Sequence, residues 1–264
     1  MSAASNTAEL VVDALTIRFG GLTAVESMSF EVRQGEVLSL IGPNGAGKTS
    51  AFNAITGYIQ ADAGTIAYRG HRLNGLKPNQ IAELGLVRTF QKTSVFMGQT
   101  VFENVLLGLH LASRQRPLAI IFALPSVARE EAELAKEASR ILDFVGLDSR
   151  AGLPASSLPY GELRLLEVAI ALAAKPKLLL LDEPVSGMNP AETASFMKIL
   201  AEIRALGVTV LLVEHDMKMV MGVSDRVICL NQGSIIADGT PAEIQGNPEV
   251  IRAYLGERYV RAHN

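Results

Sequence analysis

The chain has 264 residues, 48% hydrophobic and 19% charged, which is apolar material for a large α/β domain or for one core carrying a smaller insert. Its formal net charge of −3, with no basic stripe interleaved with aromatics, argues against a nucleic-acid partner. Cys229 is the only cysteine, so no intrachain disulfide can form, and the apolar runs are too short to span a membrane while residues 1–9 lack a signal-peptide pattern; together these predict a soluble, cytosolic chain.

The first region, about Leu10 to Tyr68, holds short β-rich runs at Leu10 to Val12, Leu15 to Phe19, Met28 to Val32 and Gly64 to Tyr68, with turn signals at Gly20-Gly21 and Gln34-Gly35. Within it, the apolar run Glu36 to Ile41 suits a buried strand and Ser50 to Ile55 can continue as a helix. Between them stands Gly42-Pro43-Asn44-Gly45-Ala46-Gly47-Lys48-Thr49, which meets every position of the phosphate-loop pattern G-x-x-x-x-G-K-[ST]. Glycines let successive backbone N–H groups turn inward on phosphate oxygens, and the following helix points its positive end at the same place. Lys48 is then placed to reach the β- and γ-phosphates, and the Thr49 hydroxyl to ligate magnesium. The run predicts a bound nucleoside triphosphate.

The middle region, about Lys92 to Ser157, reads as helical. Leu134, Ala138, Ile141, Leu142 and Val145 recur at helical spacing within Ala128 to Val145, with charges on the other face. Arg114 to Ala128 carries the apolar stretch Leu118 to Phe122, for which a hairpin packed on its own domain and a partner contact are both open readings.

The last third alternates apolar strands at Leu178 to Leu181, Val208 to Val213 and Val227 to Leu230 with helices, which predicts a parallel sheet, with Cys229 as a small core residue. The first of these strands ends in Asp182 and Glu183. Beside a phosphate loop, the first carboxylate is suited to hold magnesium through water and the second to polarise an attacking water.

Leu158-Pro159-Tyr160-Gly161-Glu162-Leu163-Arg164, just before a helix and that carboxylate strand, resembles the L-S-G-G-Q signature of ABC-type ATPases: Leu158, Gly161 and Arg164 agree, Glu162 is a common variant, and Pro159 replaces the serine. Other elements of that pattern follow in order. Phe19 stands where the family places an aromatic ring against adenine, and Gln91 matches the glutamine that touches magnesium and leads toward the membrane partner. Ser186-Gly187-Met188-Asn189 matches the loop that crosses the dimer interface, with Asn189 replacing the usual aspartate, and His215 matches the switch histidine. Phe19 to Val25, Val87 to Gln91, Glu214 to Met217 and Asn247 to Glu257 are similar to the ATP-binding subunits of branched-chain amino-acid importers, and of their two ATPase types to the larger.

The resemblance implies an α/β phosphate-loop fold of the ABC type: a mainly parallel core, an antiparallel β subdomain and an inserted helical subdomain. One ATPase domain would span 1–264, with the β subdomain and phosphate-loop core at about 8–91, helices at about 92–160, the core resuming at about 161–245, and a tail at about 246–264. It further implies ATP and Mg2+ as ligands. Gly42 to Ser50, Phe19 and Gln91 would hold the nucleotide, and Thr49, Gln91 and, through water, Asp182 the metal. Glu183 would be the base and His215 the γ-phosphate sensor, with Leu158 to Glu162 acting on a partner's ATP. Expected partners are a second, different ATPase subunit, two transmembrane permease subunits and, indirectly, a solute-binding protein, on the cytoplasmic face of the inner membrane. Urea, short amides or other amino acids remain alternative cargoes. A DNA-repair or translation ATPase would need a long coiled-coil insert or a second tandem domain, and neither fits in this length.

Proline at 159 has no hydroxyl or N–H to offer a partner's γ-phosphate, although proline is acceptable near a helix start. The composite site that uses this signature is therefore expected to be the weaker of two.

Overall fold

The computed structural model describes residues 7–89, 95–112 and 125–255. They divide into two compact units.

The first unit comprises residues 7–86, 177–184 and 200–255. Strands β1 (Ala8–Phe19), β2 (Leu22–Arg33), β4 (Ala63–Tyr68) and β5 (His71–Arg72) form an antiparallel sheet in the order β2-β1-β4-β5. The two short runs expected before Phe19 are thus one long strand. Its interruption is a bulge: Ala14 and Ser27 take positive φ, and their amides donate to Ser29 Oγ and Thr16 Oγ1 at 2.8 and 3.1 Å.

The second sheet of this unit is mainly parallel. Strands β3 (Val37–Ile41), β7 (Leu178–Asp182) and β8 (Thr209–Val213) are buried at every position, as strands covered on both faces must be. With β9 (Arg226–Asn231) and β10 (Ser234–Gly239) they run in the order β10-β9-β3-β8-β7, and β6 (Leu86–Arg88) follows at the unit's boundary. Strands β9, β3, β8 and β7 pair in parallel, whereas β10 runs antiparallel to β9. Helix α1 (Lys48–Ile55) buries Ala51, Phe52 and Ile55 into one core with Val12, Met28, Phe30, Leu38, Leu40 and Leu211. Helix α2 (Pro78–Glu83) adds Ile81 to that core.

The second unit comprises residues 87–89, 95–112, 125–176 and 185–199. Helices α3 (Val101–Ala112), α4 (Pro125–Phe144) and α5 (Tyr160–Ala173) pack through stripes three or four residues apart. Val101, Val105 and Leu109 meet Ala138, Leu142 and Val145, and both meet Leu166, Ala169 and Ala173. This packing carries the helical unit through Pro176 rather than to the expected position near 160, because the inner face of α5 belongs to the helical core. Helix α6 (Pro190–Ala205) begins in this unit. Residues 113–124, with the apolar stretch Leu118 to Phe122, lie outside the described residues, and so does Gln91. No helix among the described residues is long and apolar enough to cross a membrane.

Candidate nucleotide site

In the first unit, β3, β8 and β7 lie side by side and end together, with Leu40 opposite Val213 and Val213 opposite Asp182. The residues that follow each strand therefore emerge at one carboxyl edge, where open α/β sheets bind their ligands. Gly42 to Gly47 follow β3, Glu183 follows β7, and Glu214 and His215 follow β8.

The loop after β3 has little room for side chains at two points. Gly42 has φ +146°, and a Cβ there would sit 2.2 Å from the Leu230 carbonyl oxygen; Gly47 has φ +102°, and a Cβ there would sit 2.4 Å from that of Ala24. Both positions require glycine. The turn closes through Ala46 N–H to the Pro43 carbonyl at 3.1 Å, and Gly233 N–H reaches the Ala46 carbonyl at 3.0 Å. The first i to i−4 bond of α1 runs from Ala51 to Gly47, so the amides of Lys48, Thr49 and Ser50 form the donor end of that helix. Asn44, Gly45 and Thr49 are exposed there.

Lys48 lies across the loop, buried, with its ammonium donating to the carbonyls of Gly42 at 2.6 Å and Pro43 at 3.1 Å. Burial holds its pKa below the usual 10.5, against opposing pulls from Glu183, Cys229 and Asp182. Cys229 itself is enclosed in β9, and burial pushes its thiol up to about 11, so it acts as core.

Asp182 is buried at the end of β7. Glu183, half-buried, has φ +48° and donates its amide to the Val213 carbonyl at 2.8 Å. A non-glycine residue in this left-handed region costs about 1–3 kcal/mol and is held by its surroundings; here the hydrogen bond to the neighbouring strand fixes it. Glu214 is fully buried, and its carboxylate accepts from the amides of His215 at 2.8 Å and Asp216 at 3.1 Å. This folded-back turn leaves the His215 side chain 60% exposed, and Asp216 then caps α7 (Met217–Val223) through Met219 N–H at 3.0 Å.

Phe19 is not a core residue: at the end of β1 its ring is 52% exposed. The donor set suits a nucleoside triphosphate, with a helix amino end, the Lys48 ammonium and the exposed Thr49 gathered at one loop. Among the described residues no group of three or more His, Cys, Asp or Glu could hold a metal on its own. A divalent ion here would thus rely on phosphate oxygens beside Thr49 and Asp182, as magnesium at nucleotide sites does.

The second unit carries the signature and loop residues. Leu158 is buried in the helical core, Pro159 is the exposed N-cap of α5, and Tyr160 is half exposed. Pro159 precedes the helix, so its missing N–H costs α5 no internal bond. Gly161 is buried under Glu192, and Glu162 pairs with Arg150 at 3.1 Å. Asn189 caps α6, its Oδ1 accepting from the amides of Ala191 and Glu192 at 2.9 and 3.0 Å, while Ser186, Gly187 and Met188 form the preceding turn.

Sequence reasoning marked the tail at about 246–264 but gave it no place at the site. In α8 (Pro241–Gln245) and α9 (Pro248–Leu255), Ile244 and Val250 enter a small core with Ile41 and Cys229, and the Tyr254 hydroxyl accepts the Gly42 N–H at 2.8 Å. The spacing of Val250 and Tyr254, one helical turn apart, signals only that they share a helix face, not what that face meets.

The family described as ABC transporter matches residues 25–186, and that described as Branched-chain amino acid ATP-binding cassette transporter matches residues 234–260. The chain is 47% identical over 249 residues to the high-affinity branched-chain amino acid transport ATP-binding protein LivG of Salmonella typhimurium, covering 94% of this chain and 98% of that protein. To BraF of Pseudomonas aeruginosa, also named as a high-affinity branched-chain amino acid transport ATP-binding protein, it is 45% identical with the same coverage. Among solved structures, a nucleotide-free ATP-binding cassette from an ABC transporter superposes with a TM-score of 0.83 at 30% identity, covering 95% of this chain and all of that one. An ATP-binding cassette of an ABC transporter in its ADP conformation gives 0.83 at 31%, again over 95% and 100%. A chain matched across most of its length by this family, and sharing nearly half its residues with such relatives, belongs to the ABC transporter ATP-binding subunits, ATPases that drive transport.

Proposed function

We propose that this chain is the ATP-hydrolysing subunit of an importer for branched-chain amino acids, and that Lys48, Asp182, Glu183 and His215 form its catalytic edge. The observation that carries the site is the common carboxyl edge of β3, β8 and β7, which gathers these residues from three separate segments of the chain. The cargo reading rests on the names of the relatives and on the tail-matching family.

In this reading the amides of residues 45–50 and the Lys48 ammonium bind the triphosphate, and Phe19 stacks on adenine. Thr49 and Asp182, with Gln91, would hold Mg2+, whose charge offsets that of the phosphates. Glu183 accepts a proton from the attacking water while the His215 imidazole donates to the γ-phosphate. The bond between γ-phosphorus and the bridging oxygen breaks as the water oxygen attacks. A second ATPase chain supplies its own signature to this site, while Leu158 to Glu162 and Ser186 to Asn189 serve the partner's. Closure of the pair around ATP and its release on hydrolysis drive two permease subunits at the cytoplasmic face of the inner membrane, fed by a solute-binding protein.

Purification of this chain with its membrane partners and reconstitution in proteoliposomes tests the reading. ATP should drive uptake of labelled leucine in the presence of the cognate binding protein, and Lys48→Ala should abolish it. ATP-driven uptake of urea or a short amide in place of leucine would overturn the cargo and leave the ATPase role standing.

A further inference from the structure

The segment following β10 is helical through its described residues, and Tyr254 in its last described turn lies against the phosphate-binding loop. Gly42 is the residue at which β3 leaves the sheet, since its last pairing with β9 is Ile41 opposite Cys229. Its amide therefore needs a partner from outside the ladder, and an unpaired buried amide would be costly. That partner is the Tyr254 hydroxyl at 2.8 Å, 212 positions along the chain. Burial pushes this hydroxyl up to about 12, so it is neutral in the working range and keeps its own proton.

The helix that carries Tyr254 is firmly seated. Asn247 Oδ1 accepts from the amides of Glu249 at 2.8 Å and Val250 at 3.4 Å, capping α9. Val250, one turn before Tyr254, is buried with Ile41, Val227 and Ile244. The tail thus grips the end of β3 by apolar packing and the first loop residue by a hydrogen bond. On its other side, Gly42 offers its carbonyl to the Lys48 ammonium at 2.6 Å. Tyr254 and the phosphate-binding lysine hold the two faces of one residue.

We infer that Tyr254 is a positioning residue of the phosphate-binding loop, through which the C-terminal helix α9 sets the affinity for ATP. The inference rests on the nucleotide-site reading above. Loss of the hydroxyl frees the Gly42 amide to seek another acceptor, rotates the peptide that begins the loop, and shifts the carbonyl against which Lys48 is held. By reciprocity, a nucleotide that orders the loop also steadies the tail.

Tyr254→Phe in the full chain tests this. Removing one neutral hydrogen bond predicts ATP affinity weakened about threefold to tenfold, read by anisotropy of a fluorescent ATP analogue with magnesium, with kcat at saturating ATP within about twofold. Hydrogen exchange in residues 248–255 should slow on adding ATP to the wild type and not in the variant. A purely structural hydroxyl would lower the melting temperature with ATP affinity unchanged, and unchanged affinity overturns the inference. Should Tyr254→Phe not fold, the wild type still decides, because absence of ATP-dependent protection in 248–255 overturns it as well. Lys48→Ala separates the two levels. If it binds the analogue as tightly as the wild type, the nucleotide-site reading fails; if binding is lost there but intact in Tyr254→Phe, only the role of the tail fails.

Discussion

The ring of Tyr160 lies against Gly187, so closely that a Cβ built on the glycine would stand 2.9 Å from Tyr160 Cε1. The signature turn and the loop after the carboxylate strand are therefore one packed block inside the helical unit. Tyr160 is held in turn by Arg164, whose guanidinium sits 5.1 Å from the ring centroid, donates to the hydroxyl at 2.6 Å and pairs with Glu167 at 2.8 Å. Glu192, which accepts from the Asn189 amide at 2.8 Å, covers Gly161 from the other side.

This contact predicts a specific epistasis. Gly187 has φ +80°, so Gly187→Ala meets both backbone strain and the tyrosine ring, at a cost of about 1–3 kcal/mol. Tyr160→Ala removes only the ring. In the double variant the steric part should disappear, giving a coupling of about 1 kcal/mol in denaturant titrations and partial recovery of ATPase activity. Strict additivity of the two changes would show that the block is not mechanically joined.

Glu183→Gln retains the shape of the side chain and removes its basicity. The expected outcome is ATP turnover reduced about a hundredfold or more, with nucleotide affinity retained. Because ATP then persists between two chains, gel filtration with ATP should show a dimer absent from the wild type under turnover. Wild-type hydrolysis in this variant would remove Glu183 from the role of base.

Burial places the Lys48 ammonium below 10.5, and an arriving triphosphate, by adding negative charge, moves it back up. Above the lowered value of the free protein and below that of the complex, binding must take up a proton. Affinity for ATP should therefore fall as pH rises through the alkaline range, by up to about tenfold per pH unit. Calorimetry in two buffers of different ionisation heat should record the uptake. Affinity flat with pH across that range would mean that the lysine is not the group that meets the phosphates.

How much of this was legible in the sequence depends on the distance over which each signal acts. The phosphate loop is a local pattern, since Lys48 folds onto the carbonyls of its own loop, although the carbonyls that crowd Gly42 and Gly47 come from Leu230 and Ala24 elsewhere in the chain. The α/β class followed from buried strands such as Leu178 to Leu181. Nothing local revealed that the helix from Tyr160 belongs to the helical core, because its stripe of Leu166, Ala169 and Ala173 would suit either core equally well. Nor could spacing show that Phe19 is exposed or that Tyr254 reaches Gly42, since those facts arise from sheet pairing and from a contact 212 positions long.

Pro159 predicts unequal sites when this chain pairs with a different ATPase subunit. As N-cap of α5 it offers neither hydroxyl nor N–H at the place where a serine signature would present both. In the proposed pairing the site completed by this signature lies on the partner, so changing the partner's catalytic glutamate to glutamine should slow transport less than Glu183→Gln does. Equal loss from the two substitutions in the assembled transporter would sink the asymmetry. Pro159→Ser should narrow the difference.

Glu214 offers the last test, because it bears on His215 without facing ligand. Its fully buried carboxylate takes the amides of His215 and Asp216, and those two bonds set the direction in which the chain leaves β8. Glutamine keeps an acceptor oxygen in place, whereas alanine leaves two amides to be satisfied otherwise, at about 1–3 kcal/mol. Glu214→Gln should thus retain most ATPase activity, while Glu214→Ala should lose about tenfold in kcat with ATP affinity little changed, the pattern of a misplaced γ-phosphate contact. The decisive background is His215→Ala. If Glu214 acts through the histidine, adding Glu214→Ala there should cause no further loss of kcat, whereas multiplicative losses would make Glu214 an independent structural residue.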